Sequence, residues 1–108
     1  MQLQQGDVTI EAVDFIPDGC HQKKDNHLAE GEITGHFHEL TGEGVSVMER
    51  EVKNKEGLIL YELFAHAPNG GVVTHQEHKP VTVPPGDYKI DRINEWDSFA
   101  EQARKVAD

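Results

Sequence analysis

Four of the seven histidines in this 108-residue chain fall in two short segments, His36-Phe37-His38 and His75-Gln76-Glu77-His78. On a β-strand side chains alternate faces, so His36 and His38 would point the same way and could share a metal ion. His75 and Glu77 stand in the same i, i+2 relation, and His78 joins them if the strand turns before Pro80, which cannot donate to a sheet ladder. The expected ligands are therefore His36, His38, His75 and His78, with Glu77 as a fifth ligand or as a general base beside a metal-bound water. Imidazole with one carboxylate suits Zn, Fe, Ni, Cu or Mn, and three protein ligands leave a position open for catalysis. The competing reading is a polar, partly exposed sheet face. Tyr88 and Arg92 share a strand face and could hold an anionic substrate through a hydroxyl and a guanidinium. Sheet packing and an ion pair with Asp91 or Glu95 explain the same two residues. Glu39 should face away from the histidines, His66 is a reserve ligand beside a turn, and Cys20, His21 and His27 belong to a polar loop. No Ser-His-Asp, phosphate-loop or cysteine-nucleophile pattern stands out.

Short strands must position these residues. Val8, Ile10 and Ala12 alternate with Thr9 and Glu11 over Asp7 to Val13, the period of two of a half-buried strand. Residues 14–29 read as a long surface loop opened by the turn Pro17-Asp18-Gly19. A second strand is expected over Glu30 to Leu40, and Gly35 within it permits a bulge beside the histidines. Val45 to Val52 follows. After the turn Asn54-Lys55-Glu56-Gly57, the nearly continuous apolar run Leu58 to Ala65 predicts a central strand covered on both faces. Val72 to Glu77, Val81 to Val83 and Tyr88 to Ile93 complete the set, with Pro84-Pro85-Gly86-Asp87 as a tight reversal. Trp96, Phe99, Ala100, Ala103 and Ala107 then recur at helical spacing. Ser98 and Glu101 fit a capping box, which predicts a C-terminal α-helix from about residue 98. The expected fold is all-β, a mainly antiparallel small barrel or sandwich with one terminal helix, forming a single domain over residues 1–108.

Two resemblances bear on this. His36-x-His38 followed by Glu43, with Pro84-Pro85-Gly86 downstream, resembles the two motifs of cupins, although Lys89 stands where a cupin places its third histidine. The resemblance implies a cupin-like barrel with a metal, its shell completed by His75 or His78. Over most of its length the chain is similar to a family of small, functionally unassigned bacterial and phage proteins. The matching stretches are Gln5 to Val8, Gly31 to His38 (Gly-Glu-x-Thr-Gly-His-x-His), Thr74 to Pro80 (Thr-His-x-Glu-His-x-Pro) and Pro84 to Tyr88 (Pro-Pro-Gly-x-Tyr). That similarity implies that the segments belong together and carries no activity with it.

Composition narrows the partners. The formal charge of −10, from 20 acidic and 10 basic residues, argues against a phosphate-backbone partner, because such affinity comes from Lys and Arg displacing counterions. No stretch approaches a membrane span, and the N-terminus lacks a basic start and an apolar run. A lone Cys20 excludes an intrachain disulfide and suits a reducing compartment, so a cytoplasmic protein is expected. The leading expectation is a metal-dependent domain, as an enzyme a hydrolase or cupin-like catalyst acting on a small substrate. A non-catalytic phage or accessory protein that binds through the histidine face is the rival, and an acidic DNA mimic is a weaker third. An exposed edge strand could also pair across a two-fold axis to make a homo-oligomer.

Overall fold

The computed structural model describes residues 1–30 and 35–92. It is a β-sandwich of two wholly antiparallel sheets and not a closed barrel. Ten strands follow in chain order: β1 (Gln2–Gln5), β2 (Val8–Val13), β3 (His21–Gln22), β4 (His27–Glu30), β5 (Phe37–Thr41), β6 (Ser46–Lys53), β7 (Ile59–Ala67), β8 (Gly71–Thr74), β9 (Val81–Val83) and β10 (Gly86–Arg92). Six form one sheet in the order β1-β2-β10-β7-β6-β3, and four form the other in the order β4-β5-β8-β9. The expected terminal helix, with Trp96 and Phe99, lies outside the described residues.

Alternation in sequence becomes burial between the sheets. From the larger sheet Val8, Ile10, Val47, Ala65, Tyr88 and Ile90 turn inward, and from the smaller sheet Leu28, Leu40, Val73 and Val83 meet them. Fully burying one such aliphatic side chain contributes about 1.5–3 kcal/mol. Tyr88 is 1% exposed, and its hydroxyl donates to the Pro84 carbonyl, which satisfies the one polar atom that its burial would otherwise strand.

Several boundaries differ from the sequence expectation, each for a local reason. β1 was hidden because three of its four residues are glutamines, so it carries little apolar alternation. Gly6, at φ 57°, makes the reversal into β2, and the two-residue Gly6-Asp7 loop joins Gln5 to its partner Val8, with glycine at the first turn position as such a hairpin requires. The expected single strand Glu30 to Leu40 is instead a return of the chain: β4 and β5 pair antiparallel, Ala29 opposite His38. Gly35, at φ 72°, takes a backbone conformation that suits a turn better than a strand. His36 consequently precedes β5 and is not on a strand with His38. The expected strand Val72 to Glu77 stops at Thr74, so His75, Glu77 and His78 all sit on the loop leading to β9. Finally, β7 is covered only in its second half. Leu58, Ile59, Leu60 and Tyr61 are 61, 52, 49 and 58% exposed, because β10 pairs with β7 only from Leu63 to Ala67.

Candidate functional site

The inward face of β5 continues past Leu40 to His38, so this imidazole takes a core position where the sandwich opens at its rim. It is 5% exposed. Val73 on β8 points inward in the same way, and the next inward position beyond it is His75. Opposite them, the β1–β2 hairpin of the larger sheet brings Gln5, Gly6 and Asp7 over the opening. Three chain segments thus converge on one rim.

Gln5 organises the convergence. Its amide nitrogen donates to the carbonyl of Val73 at 3.0 Å and to that of Lys79 at 2.8 Å, which ties β1 to β8 and to the end of the histidine-bearing loop. With both amide protons committed, the remaining Gln5 Oε1 must accept, and it faces His38 Nδ1 at 2.8 Å. The proton of a neutral His38 therefore sits on Nδ1, leaving a lone pair on Nε2. That lone pair points at Asp7 Oδ1, 3.4 Å away. Burial, then the neighbouring His75, hold His38 below its ordinary pKa of 6.5, although Asp7 pulls the other way. Burial would raise Asp7 too, but Arg92, whose Nε donates to Asp7 Oδ2 at 2.7 Å, outweighs it and the carboxyl lies below 3.8. The pair is thus a neutral imidazole and a carboxylate, two acceptors facing each other.

The other histidines surround this pair. The His38 and His75 ring centres are 4.4 Å apart, His75 and His78 4.6 Å, His36 and His75 5.6 Å, and His38 and His78 5.8 Å. His78 Nε2 lies over the β1–β2 turn so closely that a Cβ built on Gly6 would meet it at 2.7 Å. His36 Nδ1 lies 3.5 Å from Glu77 Oε1 at the outer edge. His75 is oriented differently: its Nδ1 accepts from the backbone N–H groups of Glu77 and His78 at 3.0 and 3.4 Å. Its proton is then on Nε2, and the ring presents a donor to the cluster. Burial, then His78 and His36, lower its pKa. Among the described residues no group of three or more His, Cys, Asp or Glu side chains is arranged so that it could hold a metal ion as it stands.

The structure brings His36, His38, His75, His78 and Glu77 together, and it adds Gln5 and Asp7, which the sequence reading did not single out. Both belong to the Gln-Gly-Asp-Val stretch, Gln5 to Val8, which is the one signal in the sequence that could have pointed to them. Arg92 borders the site through Asp7, whereas Tyr88 is in the core and offers no hydroxyl to a substrate. Glu43, the carboxylate that a cupin pattern would use, lies past the opposite end of β5, where its carbonyl accepts from Asn69. His66 is on the outer face of the larger sheet with Nδ1 2.6 Å from Asp87 Oδ1. The register sets Ser46, His66 and Asp87 side by side across β6, β7 and β10, a row that no sequence spacing announces.

Kinship to other proteins extends over the whole of this rim. The chain belongs to a family described as a domain of unknown function (DUF8820), matched over residues 4–93. No curated protein and no solved structure gives a match. The matched span takes in every residue of the cluster. No helix among the described residues is long and apolar enough to cross a membrane.

Proposed function

We propose that the rim cluster binds one divalent metal ion of the Zn, Fe, Ni or Mn type, with His38, His78 and Asp7 as its inner ligands and His36, His75 and Glu77 around them. The observation that carries this reading is the His38 Nε2 lone pair facing the Asp7 carboxylate at 3.4 Å. Two acceptors in that relation repel unless a cation or a proton lies between them, and the lowered pKa of His38 disfavours the proton. The separation also fits a metal: two ligands about 2.1 Å from one tetrahedral ion stand about 3.4 Å apart. Gln5 then acts as the outer partner that fixes the His38 tautomer, as ligating histidines commonly require. His75, with Nδ1 held by the backbone, donates from Nε2 and suits hydrogen bonding to an anion or water at the site better than metal ligation.

Three protein ligands leave room for water or a small ligand, and Glu77, on the exposed loop 3.5 Å from His36, is the carboxylate that would serve as a base. Hydrolysis of a small substrate is the reaction class that this set serves. The test is metal content by mass spectrometry on untagged protein, beside Asp7→Asn and His38→Ala. Near-stoichiometric metal that falls away in both variants is expected. Protein that is metal-free and takes up neither Zn, Ni, Mn nor Fe would refute the proposal.

A further inference from the structure

Among the described residues the β6–β7 hairpin runs four rungs past its neighbouring strands. Arg50 with Glu62, Glu51 with Tyr61, Val52 with Leu60 and Lys53 with Ile59 pair with each other. Beyond them β10 holds β7 only as far as Leu63, and β3 holds β6 only at Met48 and Glu49. The ribbon is closed by a well-made turn, in which Asn54 Oδ1 accepts from the N–H groups of Glu56 and Leu58. Alternation places Ile59 and Tyr61 on one face and Leu58 and Leu60 on the other, so apolar side chains are exposed on both. A two-stranded ribbon is marginal in water by itself. Contiguous apolar residues on such a ribbon mark a surface that meets a partner, and among the described residues no strand pairs with the outer edge of β7 from Ile59 to Glu62, which leaves its ladder groups to a further strand.

We propose that this arm joins two copies of the chain, their β7 edges pairing antiparallel about a two-fold axis near Leu60 and Tyr61. An antiparallel strand paired with its own copy is symmetric, so a single edge serves both partners. Edge-to-edge pairing also sets the exposed side chains of the two copies beside one another across the new ladder on both faces, whereas a partner lying on one face would touch only half of them. Charge favours the same occupant. The chain carries −10 overall, yet residues 50–62 set Arg50, Lys53 and Lys55 against Glu51, Glu56 and Glu62. The arm is therefore locally neutral, the place where two acidic copies approach with least repulsion. Lys55 and Glu56 at the tip oppose entry into a bilayer.

About half of four large side chains of roughly 200 Å² each is open, so two arms carry roughly 800 Å² of exposed apolar surface, of which edge pairing covers the part that faces the partner strand. Even with the paired backbone the interface stays below the low end of stable specific interfaces, about 1,200 Å², and belongs with weak associations. Dissociation on the order of micromolar or weaker is expected.

Sedimentation of the full chain from about 1 to 500 µM tests it, a range chosen to span such a constant. The mass should rise from 12.1 kDa towards twice that value, while the Ile59→Lys/Tyr61→Lys variant should stay monomeric with unchanged circular dichroism. Both replaced side chains are more than half open to water and outside the core, so the fold tolerates lysine there. In a Cys20→Ser background, Leu60→Cys or Tyr61→Cys should form disulfide-linked dimers on oxidation. A chain that stays monomeric throughout, a dimer that survives the lysines, or failure of both cysteines to cross-link would overturn the proposal.

Discussion

Gln5→Met is the most informative single change, because methionine keeps the length and bulk of the side chain while removing every hydrogen bond that it makes. Three are lost: those to the Val73 and Lys79 carbonyls and that from His38 Nδ1. The Lys79 carbonyl can recover water. The Val73 carbonyl and the His38 N–H are buried, and each buried group left unpaired costs about 1–3 kcal/mol. A loss of about 2–3 kcal/mol is expected, a sizeable part of the 5–15 kcal/mol that holds a typical domain together. The melting temperature should fall by about 10 °C for a chain of this size. Unfolding in urea with a chelator present measures this without any metal contribution. Calorimetric titration of zinc into the same variant should then show affinity weakened by about 10- to 100-fold, the usual effect of removing an outer partner from a ligating histidine. A variant within about 0.5 kcal/mol of the parent, the range of an ordinary surface change, and with unaltered zinc affinity would refute the role given to Gln5.

Two other expectations follow from the same geometry. Without metal the protein should lose stability as the pH falls through the histidine range. The unfolded chain takes up protons near 6.5, before the buried His38 and the half-buried His75 do, so their contribution is complete above 6.5 and is lost towards their lower folded values. Asp7 adds a further loss only below 3.8. Urea midpoints between pH 8 and 5 should therefore fall more steeply for the parent than for His38→Asn, and parallel curves would contradict the assignment. Tyr88→Phe should cost about 1 kcal/mol through the lost bond to Pro84 and leave metal affinity untouched; a large drop in affinity would mean that the hydroxyl serves the site after all.

How much of this was legible in advance depends on whether the signal is local. The period of two along β2, β6 and β10 is local, and so are the turns at Asn54 to Gly57 and Pro84 to Gly86. Strand positions and inward faces could therefore be read directly, and an antiparallel β-fold followed. The concentration of His36, His38, His75 and His78 is local as well, and it pointed to the rim. Strand alternation does not account for their alignment, because three of the four lie outside strands. His36 precedes β5 after a glycine turn, and His75 and His78 sit on the loop to β9.

Pairing between distant segments is what sequence alone did not disclose. Gln5 and Asp7 reach the histidines only because the β1–β2 hairpin of one sheet closes over the open end of the other, 33 residues from Gln5 to His38 along the chain. Nothing in a glutamine-rich strand announces that its last side chain will be buried and will fix a tautomer. The run Leu58 to Ala65 shows the same limit in reverse. Its composition predicted burial, but burial is conferred by neighbours, and β10 accompanies β7 only from Leu63 onward. The amino-acid sequence by itself determined which residues form strands, which face of each can be apolar, and where the chemistry-bearing side chains are concentrated, since these depend on backbone geometry and short spacings. Which strands are neighbours, which polar groups become one another's partners, and which apolar residues stay in water were decided only by tertiary structure, because each depends on contacts between segments whose separation in sequence carries no information about their distance in space.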